Sequence, residues 1–332
     1  MLGVLYAALG AFTFSLNNVM MRRGVVTGSV LQGMALTVPI GALSFLVMAV
    51  AFGVLGQLVV FSTVALGWLA CQGVTHFVMG RYCNYKSNQL MGVNLAAPVV
   101  QLQVPFAMML AVVMLHEKFT VLQAIGSTLM LGGSFITQGN SAKRKEKDAA
   151  PDPTSKPIFE PRIFSGYIFG LAAAMCYGSS PLMARLAFLH APGSSAVAGG
   201  CVAYAAATLV FSLVLLKPGS WGDIKGMKPE NMPWFLSAAV LVAISQAFVY
   251  ASLAIAPMMV VTPILQLSLV FRLFLSQLIN RDHEVMNTAV LIGAGTAVLG
   301  SILVSLPTDE LSILLGLRPS LADFLSYRLA GQ

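Results

Sequence analysis

Apolar residues in this chain come in runs of twenty or more, broken by charges, prolines or glycines, and not as the half-buried stripes of a water-soluble fold. A hydrocarbon core about 30 Å thick asks for runs of that length from every helix that crosses it. The pattern predicts helices over about 3–22, 30–55, 62–85, 88–115 and 119–138 in the first half. It then breaks at 139–162, where Lys143 to Lys147 are mostly basic and Pro151, Pro153, Pro157 and Pro161 follow, a composition that stays solvated and reads as a linker. The second half predicts helices over about 163–189, 195–217, 232–255, 257–280 and 286–306. The tail 307–332 alternates Leu311, Leu314, Leu321 and Phe324 with Asp309, Arg318 and Asp323, so it reads as an interrupted amphipathic helix on the membrane surface, split at Pro319.

Composition agrees. Of 332 residues, 57% are apolar and 9% charged, well under the roughly 25% charged content of a soluble domain. This is the chemistry of an all-α polytopic membrane protein with ten transmembrane helices. The first apolar run starts within three residues, with no basic segment and no cleavage pattern before it, so no removable signal peptide is expected. Cys71, Cys83, Cys176 and Cys201 all fall inside apolar stretches without metal-ligand spacing and read as packing residues. His116–Glu117 and His283–Glu284 lack the second histidine of a zinc protease, since Thr120 and Asn287 stand there. No Ser-His, Asp-Asp or metal-ligand constellation supports enzyme chemistry, and no cofactor is expected.

The two halves repeat. Tyr85, Ser87, Pro98, Gln101, Leu102 and Phe106 recur 165 residues later as Tyr250, Ser252, Pro263, Gln266, Leu267 and Phe271. Glu117, Gly126 and Gly133 recur at 167 as Glu284, Gly293 and Gly300, and Gly3, Met20 and Arg22 recur at 163 as Gly166, Met183 and Arg185. Residues 1–138 and 163–306 are therefore read as two five-helix units. An odd number of spans per unit turns the second upside down, the architecture of secondary transporters whose site lies at the repeat interface.

On these residues the chain resembles the drug/metabolite transporter superfamily, in its ten-span form built from two EamA-type units. The residues that carry the likeness are Tyr85, Pro98, Glu117, Gly126 and Gly133, with their counterparts Tyr250, Pro263, Glu284, Gly293 and Gly300. The resemblance implies a central cavity lined by the first four helices of each half, peripheral fifth and tenth helices, and alternating access by rocking. It leaves the substrate open, since the superfamily moves amino acids, drugs, nucleotide sugars, organic phosphates and other metabolites. It also implies cytoplasmic termini. The basic residues point the other way: 13 of the 19 Lys and Arg lie on the side opposite the termini, which places both termini outside. The short loops suit a bacterial inner membrane.

Ionisable groups within spans default to functional candidates, and here their sign is positive. Arg272 lies well inside the ninth run, and Arg81 near the end of the third. Their guanidinium forks suit a carboxylate or phosphate. The alternatives are headgroup contact for Arg81 and backbone carbonyls for Arg272. Arg185 is a gate or contact candidate because it lies on the side poor in basic residues, whereas Arg22 reads as an interfacial anchor. Polar candidates for the cavity are Asn17, Gln72, His76, Tyr85, Gln101, Tyr250 and Gln266, with Asn18, Gln103, Ser179, Ser180 and Gln246 beside them. Gln72 and His76, four apart, share one helix face. Interhelical hydrogen bonding is the rival role for each. His76 is the only candidate proton carrier within a span, because no Asp or Glu lies well inside one.

The expected function is transport of a small organic solute, anionic or zwitterionic, with the lipid bilayer as the other partner and no nucleic acid. A lipid translocase using the same groove is the alternative, and a non-transporting scaffold the third. The glycine-rich outer helices are compatible with a homodimer.

Overall fold

The computed structural model describes residues 2–115, 119–147, 161–255, 264–265, 267–280, 288–305, 316 and 318–330. The chain is almost wholly helical. In order the helices are α1 Leu2–Thr27, α2 Val30–Ala51, α3 Thr63–Gly73, α4 Arg81–Met91, α5 Val93–Val100, α6 Gln103–Leu115, α7 Val121–Lys147, α8 Ile163–Leu189, α9 Ala196–Leu215, α10 Ser220–Lys225, α11 Met232–Ile255, α12 Leu267–Ile279, α13 Thr288–Ser305 and α14 Pro319–Ser326. Among the described residues, six helical stretches are long and apolar enough to cross a bilayer: α1, α2, 93–114, α8, α9 and 232–249. Three shorter apolar stretches, 121–133, 267–279 and 288–300, accompany them.

The third expected span behaves differently. Residues 63–91 wind as α3, a wide π-helical stretch Val74–Gly80, and α4. The helix therefore runs on past the expected end at 85. Its last segment, with Asn84, Lys86, Ser87 and Asn88, is too polar to register as a span, yet Asn84, Ser87 and Asn88 are buried against other helices. Glycines flank the π stretch where neighbours come closest. A Cβ at Gly73 would overlap the Ala203 carbonyl of α9, and one at Gly80 would meet the Tyr177 ring of α8. The helix turns into α5 at Gly92, whose φ of 83° suits glycine.

The expected linker begins as helix, since α7 continues through Lys147; residues 148–160 lie outside those described. In the tail the helix starts at Pro319, with Leu321, Phe324 and Tyr327 exposed. A two-stranded antiparallel pair, β1 Phe119–Thr120 with β2 Arg328–Ala330, then ties the tail to the start of α7. The pairing had no counterpart in the sequence pattern.

The main helix contacts come in twinned pairs. α1 packs on α11 as α8 packs on α3 and α4; α1 packs on α12 as α8 packs on α5 and α6; α2 packs on α11 as α9 packs on α3. α2 meets α9, α5 meets α12, and α7 meets α13. The α7–α13 crossing is closest at glycines. A Cβ at Gly133 would strike the Gly293 carbonyl, and one at Gly300 the Gly126 carbonyl, so the two helices run antiparallel. These glycines pack within one chain.

The two ends of the bundle differ. At one end Arg22 is buried and donates from Nη1 to the Gln89 carbonyl at 2.8 Å, while Gln89 donates to the carbonyls of Val25 and Gly28. Ser29 and Gln32 form a reciprocal cap at the start of α2, and both bond Asp223 in the turn after α9. This end is closed. The opposite end carries the turns 52–62 and 190–195, joined by the Ser62 hydroxyl on the His190 carbonyl and by the Ser195 amide on Gln57.

Candidate functional site: a cleft, an aromatic partition and a polar chamber

A cleft of about 680 Å³ opens at that second end between α1, α2, α9 and α11. Tyr6, Phe45, Phe52 and Phe248 line it, with Met48, Ala247 and Ala251, and Ser194 and Ser195 stand at its mouth. At its wall Phe45 stacks on Tyr204 with centroids 5.1 Å apart, and Tyr204 stacks on Phe77 at 3.7 Å. Gly41 and Gly200 make this possible, because a Cβ at either would collide with the ring of Tyr204 or Phe45.

Behind the stack is a small chamber lined by Phe14 and Asn17 of α1, His76, Arg81, Asn84 and Tyr85 of the third helix, Tyr177 of α8, and Val242 and Gln246 of α11. Arg81 is 3% exposed. It lies ten residues from the end of α4, about 15 Å at 1.5 Å per residue. Its Nη1 donates to the Thr37 carbonyl at 3.0 Å and its Nη2 to the Tyr204 hydroxyl at 2.9 Å. The guanidinium carbon lies 5.2 Å from the centre of the Phe77 ring and 5.6 Å from that of Tyr204. Both hydrogen-bond partners are neutral, and among the described residues no acidic side chain lines the chamber. Among the described residues the buried Asn84 Oδ1 has no hydrogen-bond partner, while the Tyr85 hydroxyl, Asn17 Oδ1 and the Thr37 hydroxyl face one another without a bond of good geometry. Such groups are costly when left dry, and the chamber, with about 10 Å³ of free space, has room for about one water.

Gln72 and His76 do act together, through a third residue. The Ser180 hydroxyl of α8 lies 3.0 Å from Gln72 Nε2 and 3.0 Å from His76 Nδ1. The shared face of the third helix is thereby fastened to α8, and the His76 ring packs on Tyr177 at 4.7 Å.

Of the residues picked from sequence, Asn17, His76, Arg81 and Tyr85 converge on the chamber, with Gln246, while Gln72 braces it from behind. Arg272 is buried 5.7 Å from the Phe14 ring, beside the chamber and not on its wall. Gln101 is buried at the turn between α5 and α6, where Gln103 donates to it, and lines neither cavity. Arg185 is on an exposed face of α8 and lines neither cavity. Arg22 is no exposed anchor but part of the closed end. Gln266, the Tyr250 side chain, Pro263, and the His116–Glu117 and His283–Glu284 pairs lie outside the described residues. Sequence reasoning missed Tyr204, Tyr177, Phe14 and Asn84. Tyrosines in Ala- and Gly-rich runs look like ordinary packing, and Asn84 sits where hydropathy ends the span.

Residues 1–138 match the model of the EamA-like transporter family, part of the drug/metabolite transporter superfamily. Over this stretch, 138 of the 332 residues, the chain is similar to that family. It contains α1 to α6 and Arg81, His76 and Asn17, so the EamA-like unit supplies most of the chamber wall. No curated protein matches the chain. A solved structure titled only "Crystal structure of protein" is similar at 15% identity and a TM-score of 0.47, covering 90% of this chain and 95% of its own. With six described helical stretches long and apolar enough to span, the protein is an integral multi-pass membrane protein.

Proposed function

We propose that this chain is a secondary or facilitative transporter that holds a small anionic or zwitterionic organic solute at Arg81 and passes it across the membrane by rocking two inverted five-helix halves, 1–138 and 163–306. One observation carries the charge of the solute. Arg81 is a buried cation whose hydrogen-bond partners are neutral, and every Asp and Glu of the chain falls in a loop, the linker, a terminal tail or the very start of a helix. A buried charge is stable only when paired, and a carboxylate of the solute supplies the missing partner. A guanidinium has five N–H donors, so those not used by Thr37 and Tyr204 are available to it. The Tyr85 hydroxyl can donate to the same carboxylate, and Asn17 and Asn84 offer acceptors for an ammonium group.

The twinned main contacts support the inverted repeat, because exchanging α1 with α8, α2 with α9 and α3–α4 with α11 maps α1–α11 onto α8–α3 and α8–α4, and α2–α11 onto α9–α3. A ten-span count follows when 63–91 is taken as one span and 93–115 as another. The open cleft end and the closed Arg22–Gln89 end are the two gates that alternating access needs. By the charge rule the cleft faces outward, in a bacterial inner membrane.

The test is a thermal-shift panel on detergent-purified protein. A ligand that binds only the folded state raises the melting temperature. Carboxylates or amino acids should raise it in the wild type and not in Arg81→Gln. Stabilisation by organic cations alone would refute the reading.

A further inference from the structure

The cleft is not explained by an anion at Arg81, since a hydrated carboxylate gains nothing from a wall of aromatic and aliphatic side chains. Its volume of about 680 Å³ lies within the 300–1,000 Å³ of small-molecule sites. It is ringed by Tyr6, Phe45, Phe52 and Phe248, and among the described residues the hydroxyls that line it besides that of Tyr6 are those of Ser194 and Ser195. Those serines sit in the turn before α9, so the entrance lies at the end of the helices. From Phe52 at the mouth to Phe45 at the wall is seven residues of α2, about 10 Å. There one ring intervenes: Tyr204 has one face toward Phe45 and stacks on Phe77, and its hydroxyl is on Arg81.

The geometry points to the cleft as a second subsite, which takes the apolar body of a monocarboxylate while its charged end reaches Arg81 past the Tyr204 ring. The ligand class is a carboxylate bearing a compact ring or a short alkyl chain. This rests on the anion reading of Arg81 and adds what stands next to the charge. Di- and tricarboxylates are disfavoured, because their second charge would sit among the rings of the cleft without a cation. A carboxylate with a long acyl chain shares the headgroup chemistry, and the test separates it.

The experiment is the melting temperature of the purified full chain with equal concentrations of propionate, 3-phenylpropionate, hexanoate, palmitate and phenethylamine. We expect 3-phenylpropionate and hexanoate to give shifts at least threefold larger than propionate, and phenethylamine to give none. Ala247→Phe fills the cleft and should reduce both to the propionate value; Phe248→Ala, which cannot overpack, should weaken 3-phenylpropionate more than hexanoate. Equal shifts for propionate and 3-phenylpropionate would overturn the subsite while leaving Arg81 as an anion site. A shift from palmitate alone, unchanged in Arg81→Gln, would overturn it in favour of lipid. No shift from any carboxylate would refute the Arg81 reading itself.

Discussion

Arg81 and Tyr204 are joined by a hydrogen bond of 2.9 Å, so a charge carried by the first half of the chain is held by a hydroxyl from the second. The same tyrosine ring closes the apolar cleft from the polar chamber. A single side chain therefore touches the charge, the partition and the interface between the halves, which is where a transporter must couple binding to movement.

Arg81→Gln separates function from stability. Removing a buried cation that has no acidic partner relieves a desolvation cost that offsets the loss of its hydrogen bonds to Tyr204 and Thr37. The expected outcome is a melting temperature equal to or above wild type, with loss of anion binding. A fall of ten degrees or more would return Arg81 to a structural role.

Tyr204→Phe should do the reverse. The ring stack survives, but the guanidinium loses one of its two partners, at a cost of about 1–3 kcal/mol read from thermal unfolding. The stabilisation produced by a bound carboxylate should then exceed that in wild type, because the ligand replaces the lost partner.

Ser180→Ala removes the bridge that Gln72 and His76 share. Two polar groups are left unsatisfied in the interior, and the expected loss is about 2–4 kcal/mol of stability, larger than for the half-buried Ser179→Ala, whose hydroxyl bonds only its own helix. Equal effects of the two substitutions would contradict the assigned bridge.

Gly133→Leu should destabilise by about 1–3 kcal/mol, since the added side chain drives into the Gly293 carbonyl of α13. Gly132→Leu is the control, as nothing lies within 4 Å of a Cβ there. Similar melting temperatures for the two would remove the glycine crossing from the account.

Much of this was legible in the sequence. Long apolar runs placed α1, α2, α8, α9 and α11, and the glycines repeated seven apart pointed to close helix packing without naming the partner, which the fold gives as α7 on α13. The third helix was misjudged at its end because hydropathy averages over faces. Asn84, Ser87 and Asn88 lower the average yet point inward, so the helix goes on to Met91 and Arg81 moves from the rim to the interior. Proline spacing singled out Gln101, but the turn it sits in faces away from the chamber. Tyr204 and Tyr177 carried no signal, since a tyrosine's role depends on what its hydroxyl meets across the bundle.

The most direct test of the central claim is uptake into proteoliposomes of radiolabelled amino acids and carboxylates, with choline as the cationic control, by wild type and Arg81→Gln. At least one carboxylate-bearing solute should enter with wild type, choline should not, and the substitution should cut that uptake at least tenfold. Uptake of choline alone, no uptake of any solute, or carboxylate uptake undiminished in Arg81→Gln would contradict it.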